Sequence, residues 1–547
     1  MFSILSLAVA VLGLLGLYTL KRFLEQTSSP VSHLPLPPGP KPLPVVGNLH
    51  DLPAKDEPDW LHWVKHKDLY GPISTVSVLG QRLIILNDAQ LAIDLLHKKA
   101  GVHSDRPDAQ MAVLSGWGNG SAVIRYSPLV TAGRKNMHRE IGTQAAVSRF
   151  QGTQDLEVRR FLLRVLNSPS QLAQHARKLA GAVILKITYG YEIDQSDGSD
   201  DPLVDIADTA LVNFSISARP GTWAVDLFPA LKYIPSWVPG ASFQQTAALF
   251  RKQTEALADV PWAFVKRQMH SSKTYDSSYV SNLLDANPDI RVGSSEETSI
   301  RWTAASLYGG GADTTVSTIT TFYLAMTLFP EVQKTAQAEI DNVIGHSRLP
   351  TTDDRENLPY INALVKEALR WHPVIPMGLP HRAMVDDVCN GYRIPKDSVV
   401  LANLWAFTHD ENTYKSPSEF NPSRFLGDSP EKDPHTLVFG FGRRICPGRV
   451  LADRTIFLAI AQSLAAFEIQ PSKLRGRDEY KTKDQQQFSR TQFSPGVISH
   501  SKPFAVDIRL RDQAYEELIR GVERVEWKRE HADDLRNLAT EMEMNQG

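Results

Sequence analysis

The chain has 547 residues, of which 42% are hydrophobic and 22% charged, and its formal net charge is −2. These proportions are those of an ordinary globular protein, and the charge gives no reason to expect nucleic acid as a partner. Its two cysteines, Cys389 and Cys446, exclude a disulfide framework and point to a reducing compartment for the main body.

From Phe2 to Leu20 there is no charged residue, and Leu, Ala, Val, Ile and Gly dominate. That length is close to the roughly 20 residues that span a bilayer. Lys21 and Arg22 follow at once, while nothing basic precedes the run. The positive-inside tendency then keeps the bulk of the chain in the cytosol. A cleaved signal peptide would want a basic start and small residues at a cleavage site, and neither is clear here. Residues 1–22 are therefore expected to form a membrane anchor and residues 23–44 a tether. Within the tether Leu36–Pro44 reads LPPGPKPLP, too proline-rich for a helix or central strand and stiff where extended.

Residues 73–87 alternate in β-branched side chains about Gly80, which predicts a hairpin. Apolar positions at helical spacing predict helices within 328–346 and 360–371, and roughly 296–328 is a further helical stretch. Strand-like pieces return near 392–403 and 493–510. The expectation is one large α+β domain over residues 45–512, mainly α with small β-sheets. The final stretch, 513–547, is highly charged, yet Tyr515, Leu518, Ile519, Val522 and Val525 fall at helical spacing. Part of it is expected to pack as a helix.

Residues 439–448 read FGFGRRICPG. A lone cysteine is usually a small buried hydrophobe, and the glycine pair lacks the third glycine that a phosphate loop requires. The pattern as a whole suits a thiolate ligand to haem iron, which pushes electron density onto the metal and favours O–O cleavage. Cys446 is the candidate ligand. Gly440 and Gly442 permit a tight turn, Phe439 can cover the sulfur, and Arg444 can pair with a haem propionate. Gly448 lets a following helix, residues 449–467, approach the ring. Backbone N–H groups beyond the cysteine can bond the sulfur, although Pro447 has none to offer.

The spacing Phe-x-x-Gly-x-Arg-x-Cys-x-Gly resembles the signature of the cytochrome P-450 family and matches it at every fixed position. Three further motifs test the resemblance. Glu367 and Arg370 in KEALRWHP, with Arg424 in FNPSRF, resemble the family's buried structural triad; by spacing alone the first two would be a minor surface pair. Gly310-Gly311-Ala312-Asp313-Thr314-Thr315 places glycines inside a helix, at a cost of about 1 kcal/mol each. It resembles the oxygen-activating motif, in which Thr314 and Asp313 would manage protons. The plainer reading is a helix contact with a threonine bonded to its own backbone. His138 and Arg139 in GRKNMHRE, and His381 and Arg382 in GLPHRA, resemble propionate contacts, though Lys135 stands where the family usually has tryptophan.

The resemblance implies a monooxygenase with haem b and the Cys446 thiolate, inserting one oxygen atom from dioxygen into a lipophilic molecule by hydroxylation or epoxidation. The sequence holds no flavin or nicotinamide motif, so electrons must come from NADPH through a separate cytochrome P-450 reductase, with cytochrome b5 as a second candidate donor. The enzyme would sit on the endoplasmic reticulum membrane as a single-pass protein facing the cytosol. Substrate contacts are expected from residues 103–130, 308–313, 374–380 and 493–497. SDRP at 104–107, VDLFPALKYIPSWVPGASF at 225–243 and RWHPVIPMGLPHR at 370–382 resemble fungal members of the O-methylsterigmatocystin oxidoreductase type, which suggests secondary metabolism. Two rival functions remain: an isomerase or dehydratase that rearranges a peroxide without outside electrons, and a haem-binding sensor without turnover. Sequons at Asn119 and Asn213 should go unused in a cytosolic body.

Overall fold

A computed structural model describes residues 31–54, 56–195, 201–219, 222–271, 275–472 and 492–544, the last without the side chains beyond 538. The expected anchor at 1–22 lies outside these residues. Among the described residues no helix is long and apolar enough to cross a membrane.

The proline-rich stretch runs along the first strand. Pro38 O accepts the Thr75 N–H at 2.9 Å, and Pro35 O accepts that of Arg393 at 2.8 Å. Gly39 lies so close that a Cβ there would sit 1.9 Å from Thr75 O. Residues that composition alone makes a spacer are thus bound to the body.

The main helices are α1 (Asp59–Tyr70), α2 (Gln110–Leu114), α3 (Pro128–Ile141), α4 (Gln151–Asn167), α5 (Leu172–Tyr189), α6 (Pro202–Ser217) and α7 (Ser242–Ser271). Then come α8 (Ser295–Leu328), α9 (Pro330–Val343), α10 (Pro359–Trp371), α11 (Arg449–Ala466), α12 (Gln513–Arg520) and α13 (Arg529–Met544). Their starts follow local chemistry. Ser127 caps α3 with Pro128 as its first residue, Ser294 caps α8 through the Glu297 N–H, and α9 and α10 begin on Pro330 and Pro359.

The expected hairpin forms as β1 (Ile73–Val78) and β2 (Gln81–Leu86), paired antiparallel from Ile73↔Leu86 to Val78↔Gln81. Leu79 and Gly80, both at positive φ (48° and 83°), make the two-residue turn. β3 (His381–Arg382) and β6 (Val399–Ala402) complete a four-stranded sheet in the order β1-β2-β6-β3, with β2 and β6 parallel. β4 (Asp387–Cys389) and β5 (Tyr392–Ile394) form a small hairpin, and β7 (Phe467–Pro471) pairs with β8 (Val506–Leu510). Of the expected strand region 493–510, only the end is strand; Phe493 and Ser501 meet in a single bridge that closes a turn.

α8 is the central helix, buried on almost every side from Ser299 to Thr327 and packed chiefly on α5, α3 and α11. The C-terminal stretch joins this core. Tyr515, Ile519 and Val522 are buried as the helical spacing predicts, but a 3₁₀ turn over Gly521–Arg524 ends the pattern and leaves Val525 exposed. α13 then lies on α7, with His531 packed 5.2 Å from Phe264 and 6.0 Å from Tyr191.

Candidate functional site

Between α8 and the loop before α11 lies a cavity with about 340 Å³ open to the centre of a water molecule. Its floor is the cysteine loop. Gly440 (φ 78°) and Gly442 (φ 55°) turn the chain back. A Cβ at Gly442 would lie 2.3 Å from Leu96 O, so only glycine passes there. The Cys446 N–H donates to Phe439 O at 2.8 Å, and the two side chains share the cavity wall. Burial pushes the Cys446 thiol up. The N–H of Gly448, the charges of Arg134 and Arg449, and the Arg449 N–H act the other way, towards thiolate. Gly448 opens on the cavity, with no atom within 4 Å of where its Cβ would be.

Three guanidinium groups line the same end: Arg106, Arg134 and Arg444. Arg444 donates to the carbonyls of Ser104 (2.8 Å), Ile124 (2.8 Å) and Ser121 (3.2 Å). Arg106 donates to Leu379 O at 3.0 Å and to Pro380 O, and Arg134 to Ile445 O. Burial lowers the pKa of all three, and mutual repulsion lowers those of Arg106 and Arg444 further, Arg444 to about 10. No Asp or Glu is among the cavity residues, and Arg106 Nε is buried without a partner. Three guanidinium groups facing one cavity with no carboxylate bonded to any of them suit an anionic ligand there. A planar macrocycle carrying two carboxylates, with its metal over the Cys446 sulfur, fits this donor set; haem is such a group.

Not every candidate residue reaches the cavity. Phe439, Arg444, Cys446, Gly448, His381 and Thr314 line it; His138, Arg139, Arg382 and Asp313 do not. On α3 the inward face carries Arg134, Met137 and Ile141, at i, i+3 and i+7. Helical phase therefore turns Lys135, His138 and Arg139 outward, and Arg139, 53% exposed, pairs with Glu140. His381 and Arg382 are neighbours on a strand, so they face opposite ways. His381 donates through Nδ1 to His103 O (2.6 Å) and is kept neutral by burial, its pKa near 3. Arg382 turns to Asp397, bonded at 3.0 Å through Nε. Arg134 and Arg106 are the contacts missed by motif matching. The apolar stripe of α3 and the SDRP motif were the signals that could have found them.

On the opposite wall α8 contributes Gly309, Gly310, Gly311, Thr314 and Thr315. Gly310 faces open space, whereas a Cβ at Gly311 would lie 2.7 Å from Ile184 of α5. Thr314 Oγ1 donates to Gly310 O at 2.6 Å. Asp313 points away and pairs with His500 at 3.0 Å. The remaining wall is apolar: Trp117, Ile184 and Phe214 on one side, Val374, Ile375 and Val497 on the other. The α5 and α6 contributions lie outside the expected substrate segments. Tyr308, inside one of them, instead donates its hydroxyl to Leu203 O.

Behind the loop the charged triad is fully built. Glu367 accepts from Arg370 at 2.7 and 2.8 Å, from Arg424 at 3.2 Å and from the Asn421 N–H at 2.7 Å, with both Glu367 and Arg370 wholly buried. Arg370 also donates to Thr408 O and Glu419 O.

A helical body that holds one cysteine sulfur against a large cavity, opposite a glycine-lined helix and beside three guanidinium groups bonded only to carbonyls, is that of a haem-thiolate protein. The sequence model of the cytochrome P-450 family matches residues 37–495. The chain belongs to the cytochrome P-450 family. It is 46% identical over 523 residues to cytochrome P-450 monooxygenase claR of Ampulloclitocybe clavipes, covering 95% of this chain and 93% of that protein. It is 44% identical over 509 residues to the monooxygenase ppsD of Aspergillus oryzae (92% and 94% covered). To the O-methylsterigmatocystin oxidoreductase of Aspergillus flavus it is 41% identical over 536 residues (97% and 98%). The protein is a haem-thiolate monooxygenase that takes its electrons from a redox partner.

Proposed function

We propose that this enzyme inserts one oxygen atom into a neutral, lipophilic small molecule of fungal secondary metabolism, with Cys446 as the iron ligand. The observation that carries the reading is the cavity itself. All its charge lies at one end, beside Cys446, and the rest of its wall is apolar or hydroxylic. A substrate held there is desolvated and oriented by shape rather than by ion pairing. Bound at Cys446, haem supplies the activation of dioxygen. Arg106, Arg134 and Arg444 would hold its carboxylates, and the N–H groups of Gly448 and Arg449 would steady the thiolate. Thr314, whose hydroxyl is bonded to Gly310 O at the cavity wall, is the proposed proton donor, while Asp313 faces away from the cavity and pairs with the partly exposed His500.

The membrane assignment rests on the apolar run Phe2–Leu20 and on the surface. Val45 (87% exposed) and Trp237 (80% exposed) stand out of the body with Leu43, Phe228 and Tyr233. Arg219, just after α6, bonds Asp59 of α1 at 2.9 Å. An N-terminal anchor in the endoplasmic reticulum membrane would let the exposed apolar residues dip into the lipid interface. NADPH–cytochrome P-450 reductase is the proposed electron donor, with cytochrome b5 as a second.

The test uses microsomes holding the full chain and its reductase, a fungal metabolite extract, NADPH and heavy-isotope dioxygen. One labelled oxygen in a product, formed only with NADPH, is expected. Unlabelled products formed without NADPH would overturn the reading in favour of a rearranging enzyme, and no product at all in favour of a sensor.

A further inference from the structure

One charged group behind the ligand loop takes no part in the site as described. His435 sits four residues before Phe439, with Nδ1 2.7 Å from Asp433 Oδ1 and Nε2 3.0 Å from Asp453 Oδ1. A neutral imidazole has one donor nitrogen and would leave one of these carboxylate contacts without a proton; the doubly protonated ring satisfies both. Each carboxylate is held in turn. Asp453, on α11, takes Arg355 at 2.5 and 3.1 Å, and Asp433 takes Lys366 of α10 at 2.9 Å. The row Lys366–Asp433–His435–Asp453–Arg355 therefore alternates in sign and carries one excess positive charge. Burial works against the charged ring, but the bonds to Asp433 and Asp453 overcome it and carry His435 up to about 9.

The ring also stacks on Phe439, with centroids 5.7 Å apart and planes 25° apart. That is ordinary stacking distance, and a cation over a phenyl face adds attraction. Phe439 is the cavity residue whose carbonyl takes the Cys446 N–H. His435 thus reaches the ligand loop through a side-chain contact with Phe439, and its row places one excess positive charge behind that loop.

We propose that His435, as an imidazolium clamped between Asp433 and Asp453, is a positioning residue that holds Phe439 against the Cys446 sulfur and raises the reduction potential of the iron by its charge. The proposal rests on Cys446 being the iron ligand. A positive charge near the iron favours the ferrous state, which carries one positive charge fewer than the ferric state. The groups facing His435 are Asp433 and Asp453, with Arg355 and Lys366 behind them.

The experiment uses the haem-loaded full chain. The red-shifted band of its reduced carbon monoxide complex is checked first, and its absence in the wild type would overturn the ligand assignment rather than the role of His435. Potentials are then titrated for the wild type, His435→Gln and His435→Arg. The Gln variant keeps hydrogen bonding without charge, and its ferric/ferrous equilibrium is expected to move about tenfold towards ferric, a fall of about 59 mV. Arg restores a planar cation that can stack and bond both carboxylates, and is expected to bring the potential back. In the wild type the potential should also fall as pH rises through about 9, in a step absent from the Arg variant. That comparison tests the proposal even if the Gln variant takes up no haem. Equal potentials in all three proteins, equal shifts in both variants, or a wild-type potential without that step would overturn it.

Discussion

The two sides of the cavity are held together by different physics. On the cysteine side almost every charged group is bonded more than once: Glu367 with Arg370 and Arg424, Asp453 with Arg355 and His435. Beyond the opposite wall, α2, residues 223–243 and the first turns of α7 form a roof that has a small apolar core of its own and adds no residue to the cavity lining. Met111, Val225, Ala247 and Phe250 cluster apart from the main core. Polar ties within the roof include the Met111 N–H on Asp226 (2.8 Å), Gln244 on Lys232 O (2.8 Å) and Arg251 on Leu114 O (2.9 Å). Buried ionic networks tolerate little change, because removing one partner strands the others. A small detached core can shift or be rebuilt without disturbing the main one. The cysteine loop is thus braced by a buried charged network, whereas the roof beyond the opposite wall rests on a small apolar core of its own.

The sharpest way to break this contrast is Cys446→Ser. It should abolish the red-shifted band of the reduced carbon monoxide complex and lower turnover by more than about a thousandfold, roughly 4 kcal/mol in the barrier. Retention of the band would remove Cys446 as the ligand. Next in size is Glu367→Gln, which leaves two buried guanidinium groups without their carboxylate. A loss of about 3–5 kcal/mol is expected, read as a lowered unfolding midpoint, whereas Trp237→Ser on the exposed roof should stay within about 0.5 kcal/mol.

A smaller effect separates two arginines on one helix. Arg134→Gln removes a cation from the cavity and should speed haem loss to apomyoglobin about ten- to a hundredfold, in keeping with about 1.5–3 kcal/mol for a charged hydrogen bond. Arg139→Gln should leave that rate unchanged, because an exposed pair contributes little. Equal effects would mean that the inward face of α3 is misassigned.

The smallest effect expected is in the roof. Burial raises Asp226 to about 6, against the N–H bonds from Met111 and Gln110. An unfolded aspartate titrates near 3.9, so between about pH 4 and 6 the closed roof holds more protons than the open one. Its stability should fall as pH rises through that window. Amide exchange at residues 110–114 should accelerate accordingly, and Asp226→Asn, which cannot ionise, should flatten the dependence.

Where one stretch of chain suffices, the sequence by itself determined the outcome. The turn at Gly440 and Gly442, the N–H groups after Cys446, the hairpin at Leu79–Gly80 and the i, i+3 pairing of Glu367 with Arg370 are all short-range geometry. Each was legible because neighbouring dihedrals and helical spacing leave few alternatives. Tertiary structure decided which faces meet. Arg134 rather than Arg139 reaches the cavity because of the phase at which α3 packs on α8. Arg106 joins Arg444 across the loop 104–124, Asp313 finds His500 rather than the cavity, and His435 finds Asp453 across the ligand loop. The charged C-terminal stretch enters the core, and the proline-rich segment binds the sheet, through partners far away in sequence. Such pairings depend on the packing of whole elements against one another, and a local pattern shows which face is apolar but not which partner it meets.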